Sequence, residues 1–98
     1  MATYLVLINF TDQGIRTLKD SPKRADDAKE LAQSFGLEIR ETFWTLGAYD
    51  GALLLDAPDE AALTAWALKV GSLGNVRTQT LRAFSAGEFE LLIRKIRE

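Results

Sequence analysis

The chain begins with a segment that is apolar on both of its alternating sides. Residues 2–10 are rich in strand formers, and successive side chains of a strand point to opposite faces. One side carries Tyr4, Val6, Ile8 and Phe10, and the other carries Leu5 and Leu7. The pattern predicts a buried strand that needs cover on both faces.

Two helical segments follow this strand. Thr11 or Asp12 is the predicted N-cap of the first, which is short. Ser21 is the predicted N-cap of the second, with Pro22 at its first helical position. Apolar residues then recur at helical spacing until Gly36, where the helix is predicted to end. These apolar residues are Ala25, Ala28, Leu31, Ala32 and Phe35.

The middle of the chain predicts a β-hairpin made of residues 37–46 and 50–57. One register places a two-residue turn at Gly47-Ala48, and a competing register places it at Asp50-Gly51. We favour the first because it leaves two strands of equal length. That register pairs Trp44 with Gly51, Thr45 with Asp50, and Leu46 with Tyr49.

The second half of the chain predicts a helix, a strand and a final helix. Pro58 and Asp59 start the first of these helices, whose buried stripe is widened by further apolar residues. The stripe is Leu63, Trp66, Ala67 and Val70, and the residues that widen it are Ala62, Ala65 and Leu68. Residues 75–84 predict a more polar strand. Ser85 and Glu88 match a capping box before an amphipathic helix at residues 86–97, which carries Phe89, Leu92, Ile93 and Ile96.

The order of elements is strand, helix, strand, strand, helix, strand, helix, which is typical of the α+β class. It predicts a ferredoxin-like βαββαβ fold with a four-stranded antiparallel sheet and an added C-terminal helix. We expect one domain over residues 1–98, with a core at 1–85. Two helices cover one sheet face, so a second copy packed sheet to sheet would cover the other. This predicts a homo-oligomer of the dimeric α+β barrel type. A trimer or larger ring is the alternative.

Composition excludes several kinds of chemistry. The 98 residues include no Cys and no His, which excludes thiolate nucleophiles, imidazole bases and the usual zinc sites. We therefore predict no metal and no cofactor. The net charge of −2 gives no reason to expect a nucleic acid partner. The apolar runs are too short for a membrane span, and no signal-peptide pattern is present, which favours the cytoplasm.

Four ordered blocks of the sequence resemble a known family. The segment Trp44–Asp50 is similar to the signature of the GYD-domain proteins, with Gly47, Tyr49 and Asp50 as its Gly-x-Tyr-Asp element. The other blocks are Thr11–Arg16, Asp20–Pro22 and Gly74–Phe84. The resemblance extends to about Phe84 and leaves out the C-terminal helix. It implies a member of the dimeric α+β barrel superfamily, and it does not imply an activity.

The hairpin and the fourth strand supply the candidate ligand-binding residues, which are Trp44, Tyr49, Asp50, Arg77 and Thr78. Tyr49 could supply a phenol and Asp50 a carboxylate beside a pocket. Adjacent residues of an extended chain point to opposite faces, so we expect these two side chains to be separated. Packing of Tyr49 and Trp44, and ion pairs of Arg77 and Arg82 with Asp50, Asp56 or Glu41, are the structural alternatives.

Three functional hypotheses remain from the sequence. The first is an oligomeric domain that binds a small organic ligand between sheet and helices. The second is a cofactor-independent oxygenase or isomerase that uses Tyr49 or Asp50 with Arg77. The third is a structural or partner-binding subunit. The catalytic residues and the ligand are left open.

Overall fold

A computed structural model describes residues 1–97 and shows four antiparallel strands in the order β2-β3-β1-β4. The βαββαβ order with this arrangement confirms the predicted ferredoxin-like fold. Glu98, the last residue of the predicted domain, lies outside the described residues. The strands are β1 (Ala2–Phe10), β2 (Glu38–Trp44), β3 (Gly51–Ala57) and β4 (Val76–Ala83). The helices are α1 (Asp12–Arg16), α2 (Ser21–Ser34), α3 (Glu60–Ser72) and α4 (Ala86–Ile96), with a 3₁₀ turn at Leu18–Asp20.

One side of the sheet forms the core with α2 and α3. Val6, Leu55 and Trp66 are the largest side chains that lie fully buried there. The remaining core residues are Tyr4, Ala32, Leu37, Ile39, Leu53, Ala57 and Leu63. Leu63 and Trp66 confirm the predicted stripe of α3. The predicted widening of that stripe is wrong at Ala65, which is exposed, and at Leu68, which is 70% exposed because it points away from the sheet.

The other side of the sheet is not covered by any helix of residues 1–97, and we call it the open face. Leu54, Leu5 and Leu81 are paired across β3, β1 and β4 and form an apolar row on it. Leu81 is 41% exposed and Phe43 on β2 is 52% exposed. Strand β1 is thus apolar on both sides, as predicted, and one of these sides lacks cover within the described chain.

The C-terminal helix α4 does not supply that cover. Its contacts with the other elements are marginal, and Phe89, Leu91 and Ile96 are more than half exposed. The predicted capping box is confirmed, because Glu88 N–H donates to Ser85 Oγ and Ser85 N–H donates to the Glu88 carboxylate. The bond from Ser85 N–H, with the nearby Arg82 guanidinium, holds the pKa of Glu88 below its ordinary value.

The short helix α1 is fixed against the loop between α3 and β4. Of the two predicted N-caps, Thr11 is the one observed, since its hydroxyl accepts from Gly14 N–H. The same hydroxyl donates to the Gly74 carbonyl at 2.5 Å, and Thr11 N–H donates to the Asn75 carbonyl at 3.1 Å. Gln13 Nε2 donates to the Leu73 carbonyl and to Asn75 Oδ1. Two of the sequence blocks noted above therefore bind each other.

The hairpin has the predicted register but not the predicted turn. Trp44 is paired with Gly51, and Thr45 N–H donates to the Asp50 carbonyl at 2.9 Å. The predicted pairing of Leu46 with Tyr49 is wrong. Strand β2 ends at Trp44 and β3 begins at Gly51, so a six-residue loop replaces the predicted two-residue turn. Within this loop the Thr45 hydroxyl donates to the Tyr49 carbonyl.

The start of α2 also differs from the prediction. Asp20 is the N-cap, and Ser21 is already the first helical residue. Ser21 therefore does not cap the helix, and its hydroxyl has a different role, described below. Within residues 1–97, no helix combines the length and the apolar character needed to cross a bilayer.

Candidate functional site

A cavity of about 360 Å³ lies between the helix-covered side of the sheet and α2 and α3. At the hairpin end of the sheet it is lined by Trp44, Asp50 and Gly51. Most of its lining is apolar, and that part consists mainly of Ile8, Phe10, Leu53, Trp66, Val70 and Val76. A concave, largely apolar space with a few polar groups is the usual form of a small-molecule site.

Asp50 lines this cavity and also holds the hairpin loop to β1. Its N–H donates to the Ile8 carbonyl at 2.8 Å, and its Oδ2 accepts from Phe10 N–H at 2.8 Å. Asp50 thus extends the pairing of β3 with β1 by one residue. Its backbone makes the bond to Ile8, and its side chain makes the bond to Phe10. Within residues 1–97 the carboxylate makes no further hydrogen bond and no ion pair.

Trp44 lines the cavity and connects the hairpin to α2. Its indole Nε1 donates to Ser21 Oγ at 2.9 Å. Ser21 is 7% exposed, whereas Trp44 is 53% exposed. A buried hydroxyl needs a hydrogen-bond partner, and here the indole of a distant strand supplies it. Because Ser21 is the first residue of α2 and not its N-cap, its hydroxyl joins the helix to β2.

The predicted pairing of Trp44 with Gly51 is confirmed. The closest neighbours of a Cβ at Gly51 would be the Phe43 carbonyl oxygen at 3.0 Å and Ile8. The close approach of the β2 backbone is therefore what this glycine permits.

Thr78 and Thr42 add hydroxyl groups to the cavity lining. Within the described chain, neither hydroxyl has a hydrogen-bond partner in the protein. Each can therefore donate one hydrogen bond to a bound molecule and accept others.

Arg24 is the basic residue of the cavity lining, and its guanidinium is already engaged. Nη1 donates to the carbonyl and the hydroxyl of Thr17, and Nη2 donates to the Gly14 carbonyl at 3.0 Å. These bonds place the charge of Arg24 at the carbonyl end of α1, where a cation is favourable. Asp27, which also lines the cavity, pairs with Lys23 at 3.0 Å.

Tyr49 lies on the opposite side of the sheet from Asp50. Its hydroxyl donates to Gln79 Oε1 at 2.8 Å, and Gln79 is paired with Leu7 on the open face. The expected separation of Tyr49 from Asp50 is confirmed. The two side chains do not meet one ligand within this fold.

Arg77 is also outside the cavity. It is paired with Asn9, at the end of the open face, and lines a shallow surface groove with Asp12 and Gln13. The predicted ion pairs with Asp50, Asp56 or Glu41 are not formed among residues 1–97. Asp56 pairs with Arg40 at 3.2 Å, and Arg82 pairs with Glu88 at 3.5 Å.

The fold thus brings together three of the five candidate residues, Trp44, Asp50 and Thr78. Sequence reasoning missed Ser21, Thr42 and Arg24 as neighbours of these three. Thr42 carried a usable signal, because it lies two residues before Trp44 on the same strand. Ser21 and Arg24 carried none, since they lie on a helix whose rotation against the sheet the local sequence does not specify.

Comparison with known proteins gives a family match over most of the chain. The family model described as "GYD domain" matches residues 4–93. The match extends beyond Phe84, where the resemblance was expected to end, and includes most of α4. A protein of Thermus thermophilus is 34% identical over 89 residues, which cover 90% of this chain and 94% of the relative. It is named "Glutamine synthetase and cystathionine beta-lyase binding protein".

Three solved structures are similar in fold. A crystal structure from Thermus thermophilus has a TM-score of 0.57 at 27% identity, covering 88% of this chain and 96% of that one. The feast or famine regulatory protein of Mycobacterium tuberculosis, solved with L-methionine, has a TM-score of 0.66 at 19% identity. The leucine response regulatory protein of the same organism has a TM-score of 0.57 at 19% identity. These last two matches include 88% and 87% of this chain but only 52% and 51% of the two regulators. The likeness therefore concerns the fold of about half of each regulator.

Proposed function

This chain belongs to the GYD domain family, and we propose that it binds a small organic molecule in the cavity between its sheet and its helices. The observation that carries the proposal is the cavity itself. Its volume of about 360 Å³ falls in the lower part of the range typical of ligand pockets. Its apolar walls and the few polar residues in its lining, which include Asp50, Thr78 and Thr42, fit a small and mainly apolar ligand.

Filling the cavity tests the proposal. Ala25 lines the cavity from α2, and we expect Ala25→Phe to place a ring in it and to lower ligand affinity at least about tenfold, because the ligand and the ring compete for one space. The control is Ala65→Phe, which adds the same ring at an exposed position of α3. The measurement is native mass spectrometry of protein purified from its own cells, which reports retained small molecules. Equal retention by the two variants would contradict the cavity as the site.

The assembly is part of the same proposal. A second copy packed on the open face would remove the apolar row of Leu5, Leu54 and Leu81 from water, and burial of apolar surface contributes roughly 25 cal/mol per Å². We expect a homodimer, with a larger ring as the alternative, and we keep the cytoplasmic location predicted from the sequence. Arg40 and Asp56 form an ion pair at one end of this face.

Sedimentation tests the assembly. We expect the wild-type chain to sediment as a dimer and Leu81→Glu to sediment as a monomer, because the new carboxylate would lie in the apolar row. Leu68→Glu is the matched control, since Leu68 is exposed on α3, away from the open face. A wild-type monomer at micromolar concentration would overturn this part of the proposal.

A partner-binding function is the second candidate, and the name of the Thermus relative favours it. In that case the open face binds another enzyme instead of a second copy. Co-sedimentation of the chain with glutamine synthetase from the same organism tests it. A complex that Leu81→Glu abolishes would support the partner-binding function, and a dimer that sediments apart from the enzyme would contradict it.

The geometry favours neither an oxygenase nor an isomerase built on Tyr49, Asp50 and Arg77. Such an enzyme needs at least two polar groups that converge on one substrate. Asp50 lines the cavity, Tyr49 lies on the open face, and Arg77 lies at the end of the sheet. The binding function needs no such convergence and is the one we carry forward.

A further inference from the structure

Asp50 brings to the cavity a negative charge that no ion pair among residues 1–97 compensates. We infer that the ligand of this cavity carries an amine or ammonium head on a small apolar body. The inference rests on the proposed function and adds the chemical class of the ligand to it.

The first step is that no basic side chain of residues 1–97 pairs with Asp50. The ion pairs among these residues are Lys23–Asp27, Arg40–Asp56 and Arg82–Glu88. Arg24 lines the same cavity, but its guanidinium donates to the backbone of Gly14 and to Thr17. The charge of Asp50 is therefore met within the protein only by Phe10 N–H, which donates to Oδ2.

The second step concerns the surroundings of that carboxylate. Ile8, Phe10 and Val76 line the cavity beside it. A charged group near apolar surface is favoured when a partner of opposite charge or a strong donor reaches it. A hydrogen bond between an ammonium and a carboxylate is about twice as strong as one between neutral groups. A ligand carboxylate placed at Asp50 would instead meet a like charge.

The third step is the number of acceptors near the head. An ammonium group has three N–H donors. Asp50 Oδ1 and the hydroxyl of Thr78 both lack hydrogen-bond partners within the described chain, and both residues line the cavity. The apolar body would then lie against Leu53, Trp66 and Val70, deeper between sheet and helices.

Three probes with one apolar body and different heads test the inference. They are 2-phenylethylamine, 2-phenylethanol and phenylacetate, with affinities measured by calorimetry or by NMR titration of the wild-type chain. We expect the amine to bind at least about tenfold more tightly than the alcohol, since hydrogen bonds to charged groups contribute roughly 1.5–3 kcal/mol. Phenylacetate should bind most weakly.

Asp50→Asn is the matched variant. The Asn side-chain oxygen can still accept from Phe10 N–H, so the hairpin loop keeps its bond to β1 while the charge is removed. We expect the amine to lose its advantage over the alcohol in this variant, because removal of the charge weakens the bond from an ammonium more than the bond from a hydroxyl. If the variant does not fold, Thr78→Val, which removes one acceptor and no charge, should weaken the amine more than the alcohol.

The outcomes separate this inference from the proposed function. If all three probes bind with equal affinity and Ala25→Phe weakens them all, the cavity is the site and the amine class is wrong. An amine preference that persists in Asp50→Asn, or a preference for phenylacetate, also overturns the inference. If the probes bind and Ala25→Phe leaves their affinities unchanged, both the inference and the proposed site fail. If no probe binds at millimolar concentration, the amine class fails, and the ligand-retention comparison of Ala25→Phe with Ala65→Phe decides on the cavity.

Discussion

Replacing Trp66 by Ala is expected to lower the free energy of unfolding by about 3–5 kcal/mol, the range measured for large aromatic residues in protein cores. Trp66 is 1% exposed and lies between the sheet and α2. Its indole Nε1 donates to the Ala28 carbonyl at 3.0 Å, which joins α3 to α2. The substitution would remove that bond, and the space it vacates would enlarge the cavity that Trp66 already lines.

Such a loss is a large part of the roughly 5–15 kcal/mol that is typical of small proteins. Urea denaturation followed by circular dichroism measures it. Trp66→Phe keeps an aromatic ring and removes the indole donor, so we expect a smaller loss of about 1–2 kcal/mol. Leu68→Ala, two residues further along α3 at a position that is 70% exposed, should change stability by less than about 0.5 kcal/mol. Equal losses for Trp66→Ala and Leu68→Ala would contradict the placement of α3.

The alternation of apolar residues was enough to predict the layered fold. Strand β1 is apolar on both sides, and the structure gives these sides different surroundings. Val6 is fully buried under the helices, whereas Leu5 lies on the open face. The caps at Thr11 and Ser85 were predictable because each depends on residues three positions away in the sequence.

Other features depend on contacts that no local pattern specifies. Ser21 had two available roles, as an N-cap and as an acceptor for a distant donor. In the structure its hydroxyl accepts from the indole of Trp44. In the hairpin, the pairing of Trp44 with Gly51 and of Thr45 with Asp50 was predictable from the sequence pattern of the two strands. The loop was not, because the bond between Thr45 and the Tyr49 carbonyl replaces the pairing that a two-residue turn would have.

Side-chain alternation along the strands made the candidate site partly predictable. Side-chain alternation correctly separated Tyr49 from Asp50. It also separates Arg77 from Thr78, which are adjacent on β4, so only one of them could line the cavity. Which of the two does so depends on the side of the sheet that the helices cover. That side is set by the packing of α2 and α3 and not by β4 itself.

Gly14→Ala is expected to destabilise the protein by about 3 kcal/mol, at the upper end of the usual cost of overpacking. Gly14 is buried in α1, where a Cβ would overlap with the Asn75 carbonyl oxygen. That oxygen belongs to backbone and accepts from Thr11 N–H, so it cannot move aside as a flexible side chain would. Helix α1 would have to move away from the loop, which would break the bonds of Thr11 and Gln13 to residues 73–75.

Gly71→Ala is the matched control for this substitution. Gly71 lies in the last turn of α3, and a Cβ there would meet no atom within 4 Å. We expect this change to stabilise the protein by up to about 1 kcal/mol, because Ala favours a helix over Gly. Denaturation of both variants measures the difference, and a Gly14→Ala protein as stable as Gly71→Ala would contradict the contact between α1 and the loop.

Because Asn75 also lines the cavity, a folded Gly14→Ala variant should bind ligand more weakly, whereas Gly71→Ala should bind as the wild type does. The hydrogen bonds between the start of α1 and residues 73–75 would then contribute to the shape of the binding site as well as to stability.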